Sequence, residues 1–334
     1  MKLLKKVVFI SVIFAVLVMG VYILGPQVES PVMERILPEV ESDLSLLENK
    51  ILKREAGISN LKPGNASRIV WKDSSKAKTP YAIIYLHGWS ASSEEGAPVH
   101  ESIARRYGCN LYLPRLAGHG IEETENMLYL TASEYMNSVK EALAVAKKLG
   151  NKVIVLATST GASMALYLAG DDPDVAGLLL YSPNIKVYDP NAKWLSRPWG
   201  LQLARWVTGS RYHTYEANEL KRKYWTTKYR LEALTHLQVL TQKTMTHDTF
   251  QSVTRPVFMG YFYKDEATHD QVVSVPAMLE MYSQLGTPSH LKRKKAFPEA
   301  GNHVLASHVV SKDLKSVQKE TCIFIEEILG LKPL

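Results

Sequence analysis

The chain has 334 residues, 46% of them hydrophobic and 22% charged, which suits one large domain or two ordinary ones and excludes a disordered, collagen-like or multi-span membrane chain. Its two cysteines, Cys109 and Cys322, are too few for a disulfide-built scaffold and belong to no zinc-type spacing, so two buried thiols are expected. The net charge of +7 suggests a nucleic-acid surface only if the folded body carries it, and three of the seven charges are Lys2, Lys5 and Lys6.

Those lysines precede an uncharged apolar run over residues 7–24. As a helix it would span about 27 Å, close to the hydrocarbon thickness of a bilayer. A basic flank of this kind predicts a cytoplasmic N-terminus and an exported body. Residues 1–28 therefore read as a signal anchor, with the body on the extracytoplasmic side, periplasmic or extracellular. Secretion after signal cleavage is the alternative, but no A-x-A pair follows the run and a cut after Ser30 would leave Pro31 next. Residues 29–64 read as a proline-interrupted tether and a short amphipathic helix, with Leu44, Leu47 and Ile51 on one face and Gly57 as its stop.

From residue 65 to 334 the pattern predicts one α/β domain. A first strand covers 69–71, and after Pro80 apolar runs alternate with helical periods, the signature of a mostly parallel, doubly wound sheet. Strands are expected over 81–86, 109–113, 152–156, 177–181, 256–262 and 291–297, and helices over 92–107, 131–149, 161–169 and 311–329. Thr131 and Glu134 make a capping box for the second of these helices, and Gly150 ends it. The alternation breaks between 184 and 250, where ten aromatics, four of the six tryptophans among them, accompany eleven Lys/Arg against five Asp/Glu. That local surplus of six leaves the rest of the exported body near −2, which argues against nucleic acid as a partner. An insertion of this composition, about 184–254, reads as a cap over a pocket at the strand ends. It is expected to set substrate choice and to lean toward anionic headgroups; the alternative is that its aromatics form only the cap's own core.

The chemistry concentrates at the end of the 152–156 run, where Ala157-Thr158-Ser159-Thr160-Gly161 leads from strand to helix. A tight turn there would expose a serine hydroxyl between small neighbours at a helix N-terminus, which makes Ser159 the candidate nucleophile. Ala157 replaces the first glycine of G-x-S-x-G and is still small. Upstream, Leu86-His87-Gly88-Trp89 follows a strand, so the Trp89 and Thr160 N–H groups are assigned as the oxyanion donors. His87 reads as a loop-ordering residue. His100-Glu101 starts like a zinc helix, but position 104 is alanine, so neither a metal nor a cofactor is expected.

These segments, with Pro114-Arg115-Leu116-Ala117-Gly118-His119-Gly120, resemble the α/β-hydrolase superfamily, within it the serine esterase, monoacylglycerol-lipase and S33-peptidase-like group. The resemblance covers roughly residues 69–331 and implies a triad in the order Ser, Asp, His with hydrolysis of ester or amide bonds. Asp265 and Asp270 both follow the 256–262 strand; Asp270-Gln271-Val272-Val273 resembles the family's D-x-V-V turn, with Asp265 or Glu266 as fallback. A family base lies in the loop between the last strand and the final helix, which selects His303, with His308 as runner-up and His269 as a surface residue. Arg115 and His119 brace the site floor in such proteins. The expected function is thus ester hydrolysis on an acyl or aryl substrate through an acyl-enzyme on Ser159. A peptidase, an acyltransferase and a catalytically silent binding module are the alternatives.

Overall fold

A computed structural model describes residues 2–334. Helix α1 (Lys2–Ile23) contains the apolar run; its stretch Leu4–Ile23 has a mean hydropathy of 2.5, is not buried against the rest of the protein, and is long and apolar enough to cross a membrane. An irregular stretch leads to α2 (Leu44–Ala56), which begins on the Asp43 carboxylate, an acceptor for the Leu46 N–H, and stops at Gly57. Leu47 and Ile51 bury its inner face, as their spacing predicts.

The main sheet is built from β1 (Arg68–Val70), β2 (Thr79–Leu86), β3 (Asn110–Leu113), β4 (Gly150–Thr158) and β5 (Val175–Tyr181), and later from β8 (Val257–Tyr261) and β11 (Lys292–Ala296). The intervening strands are two small antiparallel pairs, β6 (Tyr212–Thr214) with β7 (Lys228–Arg230), and β9 (Tyr263–Asp265) with β10 (Thr268–His269). The order is β1-β3-β2-β4-β5-β8-β11, parallel throughout except for the edge strand β1. Alternation along the strands divides the core. Ala82, Ile84, Val153 and Val155 face α4 (Ala132–Leu149) and α5 (Ser159–Ala169), while Ile83, Tyr85, Ile154 and Leu156 face α3 (Val99–Arg106) and the final helix, Leu314–Glu327. The chain winds one way from β2 to β3 and the other way from β4 to β5, so the strand order reverses between β2 and β4, where ligands of open α/β sheets bind. Leu86 pairs with Ala157 in register there, so the turn after β2 and the turn after β4 emerge side by side.

Element boundaries differ from the sequence reading for local reasons. The helix expected over 92–107 is a 3-10 turn, Ser93–Gly96, followed by α3, because Pro98 has no N–H to carry a helix through. The helix expected from 161 starts at Ser159, and the last helix starts after Asp313, whose carboxylate accepts the Ser316 N–H. Thr131 and Glu134 form the anticipated capping box. Cys109 and Cys322 are buried thiols, and burial pushes the Cys109 thiol up to about 12.

Between residues 184 and 254 lie a 3-10 turn, Pro190–Ser196, then α6 (Gly200–Thr208), α7 (Glu219–Tyr224), α8 (Leu231–Thr244) and α9 (His247–Ser252), with the β6–β7 pair among them. The aromatics of this segment divide between its interior and its surface. Trp225, Tyr229 and Phe250 are buried, whereas Tyr188, Trp194, Trp199 and Trp206 are exposed. Several lysines lie over rings: Lys193 on Trp194, Lys221 on Tyr215 and Trp225, Lys228 on Tyr212.

Candidate active site

Ser159 sits where β4 becomes α5, with φ of +53°, a left-handed conformation that is uncommon outside glycine and asparagine. The turn is tight enough to dictate its neighbours. A Cβ on Gly161 would lie 2.2 Å from the Leu86 carbonyl oxygen, so only glycine fits two residues after the serine. Ala157 is fully buried. The Ser159 carbonyl accepts the Asn184 N–H at 3.1 Å, tying the elbow to the end of β5.

Across the register, Gly88 packs against the elbow: a Cβ there would stand 3.0 Å from the Ser159 Cβ. The Trp89 N–H donates to no described residue, and Thr160 lies in the first turn of α5, where an N–H has no intrahelical acceptor. Both amides assigned as oxyanion donors are thus unspent. The turn is held from below. His87 has Nδ1 3.0 Å from the Gly88 carbonyl and accepts the Leu116 N–H on Nε2 at 3.1 Å, and burial pushes its imidazole down to about 4, so it is neutral. His119 accepts the Ser90 N–H at 2.9 Å, and Arg115 bonds the His119 carbonyl at 3.2 Å and the Glu55 carboxylate of α2 at 2.7 Å. Arg115 and His119 are accordingly braces.

Asp270 and His303 meet. Asp270 Oδ1 accepts the Val272 and Val273 N–H groups at 2.9 and 3.1 Å, and Oδ2 lies 2.6 Å from His303 Nδ1. Burial raises the Asp270 carboxyl, but His303 and the two amides outweigh it and hold it below the usual range. Burial likewise lowers the His303 imidazole, and the Asp270 carboxylate outweighs that, leaving it above its ordinary value. His303 Nε2 is buried with no partner among the described residues, and no hydrogen bond joins it to Ser159. Such bonds are often long in ligand-free enzymes and tighten with substrate. Ser182 donates to the His303 carbonyl at 2.8 Å. The competing residues lie apart: Asp265 is exposed and accepts the Ala267 N–H, Glu266 accepts the Tyr263 hydroxyl, and His308 faces the Ala97 carbonyl. His269, half-buried and next to Asp270 in sequence, has Nδ1 3.3 Å from the Asp265 carbonyl instead.

One acidic residue escaped the sequence reading. Glu95, 2% exposed, accepts the Gly88 N–H at 2.6 Å and the Tyr85 hydroxyl at 3.2 Å, while Tyr85 also shares a 2.8 Å bond with Thr158 Oγ1, just before Ser159. It thus links the two turns of the site. Burial pushes its carboxyl up to about 7, against the pull of the Gly88 amide and of His303. In sequence the Ser-Ser-Glu-Glu run looks like a solvated helix start; its only hint is its place seven residues after a Gly that must approach the elbow.

Residues of the 184–254 segment reach the turn that bears Trp89. Tyr215 Oη lies 3.0 Å from Ser90 Oγ, the Thr226 N–H donates to the Ser90 carbonyl at 2.7 Å, and Trp225 packs on Ala91 and Val304 beside His303. Ser159 is itself 7% exposed.

Comparison with known proteins agrees with this architecture. The model of the Alpha/beta hydrolase family matches residues 83–311, more than half of the chain. A thermostable monoacylglycerol lipase of Bacillus sp. (strain H-257) is 31% identical over 100 residues, which is 30% of this chain and 39% of that lipase, so the match spans well under half of the relative. Among solved structures, one reported with LipS and LipT, two metagenome-derived lipolytic enzymes, superimposes with a TM-score of 0.64 at 17% identity, over 80% of this chain and 99% of that one. Est1E from Butyrivibrio proteoclasticus, solved with ferulic acid bound, gives 0.53 at 16% identity, over 79% and 95%. Matched over most of its folded body, with a mostly parallel sheet whose strand order reverses beside a strained serine elbow, this chain belongs to the α/β-hydrolase family.

Proposed function

We propose that the protein is a serine hydrolase that cleaves carboxylic esters, lipase- or carboxylesterase-like, through an acyl-enzyme on Ser159. The observation that carries this reading is the 2.6 Å contact of Asp270 with His303 Nδ1, which leaves Nε2 buried and unpartnered in a fold that also holds Ser159 at positive φ between β4 and α5. In this mechanism His303 Nε2 takes the Ser159 proton as Oγ attacks the ester carbonyl carbon. The Trp89 and Thr160 N–H groups receive the oxyanion. The protonated imidazole, steadied by Asp270, then gives its proton to the leaving alcohol, and water repeats the sequence to release the acid. No metal or cofactor enters. The roof of Tyr215 and Trp225 favours an acyl or aryl group over a sugar, and the relatives named above are lipolytic enzymes and esterases. The proposal includes a body over about 65–334 with a cap over about 184–254, carried on the extracytoplasmic side of a membrane by residues 1–28.

The test is a fluorophosphonate probe together with a panel of p-nitrophenyl esters, a monoacylglycerol and aminoacyl p-nitroanilides. Mass spectrometry should locate the adduct on Ser159, with esters turned over and anilides not. Faster amide than ester turnover would make it a peptidase, and absence of both labelling and turnover would leave a silent module.

The pH dependence has a definite sign. His303 acts as a base only when neutral, and its pKa is raised, so kcat/KM should climb with pH through a midpoint above the ordinary histidine value of about 6.5. Asp270 and Glu95 raise that pKa and Lys221 of the cap lowers it. Glu95→Gln keeps an acceptor for the Gly88 N–H but removes a negative charge, so the acid limb should move to lower pH. A pH profile with p-nitrophenyl butyrate checks this; an unmoved midpoint would show that Glu95 does not act on His303.

A further inference from the structure

The far end of α1 is fixed to the cap. Trp199 Nε1–H donates to the Val21 carbonyl at 3.0 Å, and the Trp199 N–H donates to the Pro26 carbonyl at 2.8 Å. Gly25 lies directly beneath the indole, where a Cβ would fall 2.0 Å from Nε1. If α1 spans a bilayer, its twenty residues from Leu4 to Ile23 fill about 30 Å of hydrocarbon, and Trp199 then stands at the level where the chain leaves it. Tryptophan suits that level, with an apolar ring and one N–H to satisfy.

Trp199 begins a stripe. Leu203, Trp206 and Val207 follow at helical spacing along α6, exposed by 42%, 81% and 69%. The opposite side of α6 is occupied, since Arg205 pairs with Glu232 of α8 at 2.5 Å. Trp194, 46% exposed, adds to the apolar surface just upstream, with Lys193 over its ring. The same stretch of chain runs back to the site. Tyr188 N–H donates to the Val272 carbonyl, and Val187 bridges Val273, in the turn whose amides hold Asp270.

We propose that α6 lies on a phospholipid bilayer, with Trp199, Leu203, Trp206 and Val207 sunk at the boundary between headgroups and acyl chains, so that the roof of the site faces lipid and draws its ester from the bilayer. The surface rests on the reading of α1 as a span, and the ester on the function proposed above. The occupant is lipid because the stripe continues from the point where an apolar helix of membrane length is held, and interfacial helices bury such a face by several ångströms.

The test uses the full chain reconstituted in phosphatidylcholine–phosphatidylglycerol vesicles. Nitroxide labels on Leu203→Cys and Val207→Cys should be relaxed by oxygen in preference to an aqueous nickel chelate, and a label on Lys78→Cys, at the opposite end of the sheet, by the chelate. The unsubstituted protein, whose two thiols are buried, serves as the labelling blank. A double change, Trp206→Glu with Val207→Glu, should lower turnover of a monoacylglycerol presented in those vesicles by roughly a hundredfold, about tenfold for each of the two lost apolar anchors. Its turnover of water-soluble p-nitrophenyl acetate should stay at the wild-type rate. Chelate access at 203 and 207 equal to that at 78, as on a bare surface, overturns the proposal, and so does shielding from both oxygen and chelate, as under a covering protein. Equal loss on both esters overturns the lipid route. If the wild type turns over neither ester, the hydrolase reading falls, and the label depths still decide the surface.

Discussion

Ser159→Ala should lower kcat for a soluble p-nitrophenyl ester by about six orders of magnitude, the scale of loss when the nucleophile of a serine hydrolase is removed. The reason is that the remaining parts cannot substitute for it: His303 has a proton to move only if a hydroxyl supplies one, and the free Trp89 and Thr160 amides stabilise a tetrahedral species that no longer forms on the protein. The fold should be indifferent to the change. Ser159 Oγ makes no hydrogen bond with any described residue, and the turn is held by its carbonyl with Asn184 and by Gly161 against Leu86. An unaltered thermal midpoint with collapsed turnover and lost probe labelling is the expected pattern. Turnover within tenfold of wild type would place the nucleophile elsewhere.

Asp270→Asn should cost about four orders of magnitude in kcat, as the equivalent change does in serine proteases. The asparagine oxygen would still accept the Val272 and Val273 amides, so the loop keeps its shape. Its amide nitrogen would then face His303 Nδ1, a donor against a position that must itself carry the proton, and the imidazole would be driven to the wrong tautomer. Asp265→Asn should be close to wild type, because the Asp265 carboxylate is exposed and serves only the Ala267 N–H. The reverse pattern, with collapse at 265 and tolerance at 270, would transfer the role of acid to Asp265. Steady-state kinetics of the two variants on one ester decides between them.

What the sequence discloses depends on how local the cause is. The capping box at Thr131 and Glu134, the inner face of α2 and the run of alternating strands are written in neighbouring residues, and the structure shows each of them. The glycine two places after Ser159 is legible through the turn motif alone, although what requires it is the backbone of Leu86 and His87 on the neighbouring strand. Asp265 and Asp270 are less separable in sequence. Both follow one strand, and only a family turn pattern separated them before the three-dimensional path of 262–273 put Asp270 against His303. Glu95 and Glu55 could not be found this way at all. Each stands among polar neighbours on a short amphipathic stretch, where an acid ordinarily faces water, and each is buried by the way the chain turns back on it: the nearby Gly88 turn on Glu95, the distant Arg115 loop on Glu55. The helix predicted over 92–107 failed for a local reason that was visible, since Pro98 stood within it.

The Glu55–Arg115 pair has a consequence for how the molecule opens. Burial raises the Glu55 carboxyl, and Arg115, with the Ser67 N–H and Arg54, outweighs it and holds the carboxyl below its usual range. Breaking a buried pair of this kind from one side is commonly worth about 3 to 5 kcal/mol. Because Arg115 also holds the His119 carbonyl, and His119 the Ser90 N–H, detachment of α2 would strip support from the turn bearing Trp89. A helix that lies outside the family-matched span, and touches no reacting atom, is therefore part of the same cooperative unit as the reaction centre. Amide protons of Leu116 and Ser90 would exchange with solvent at the opening rate of α2 rather than at their own.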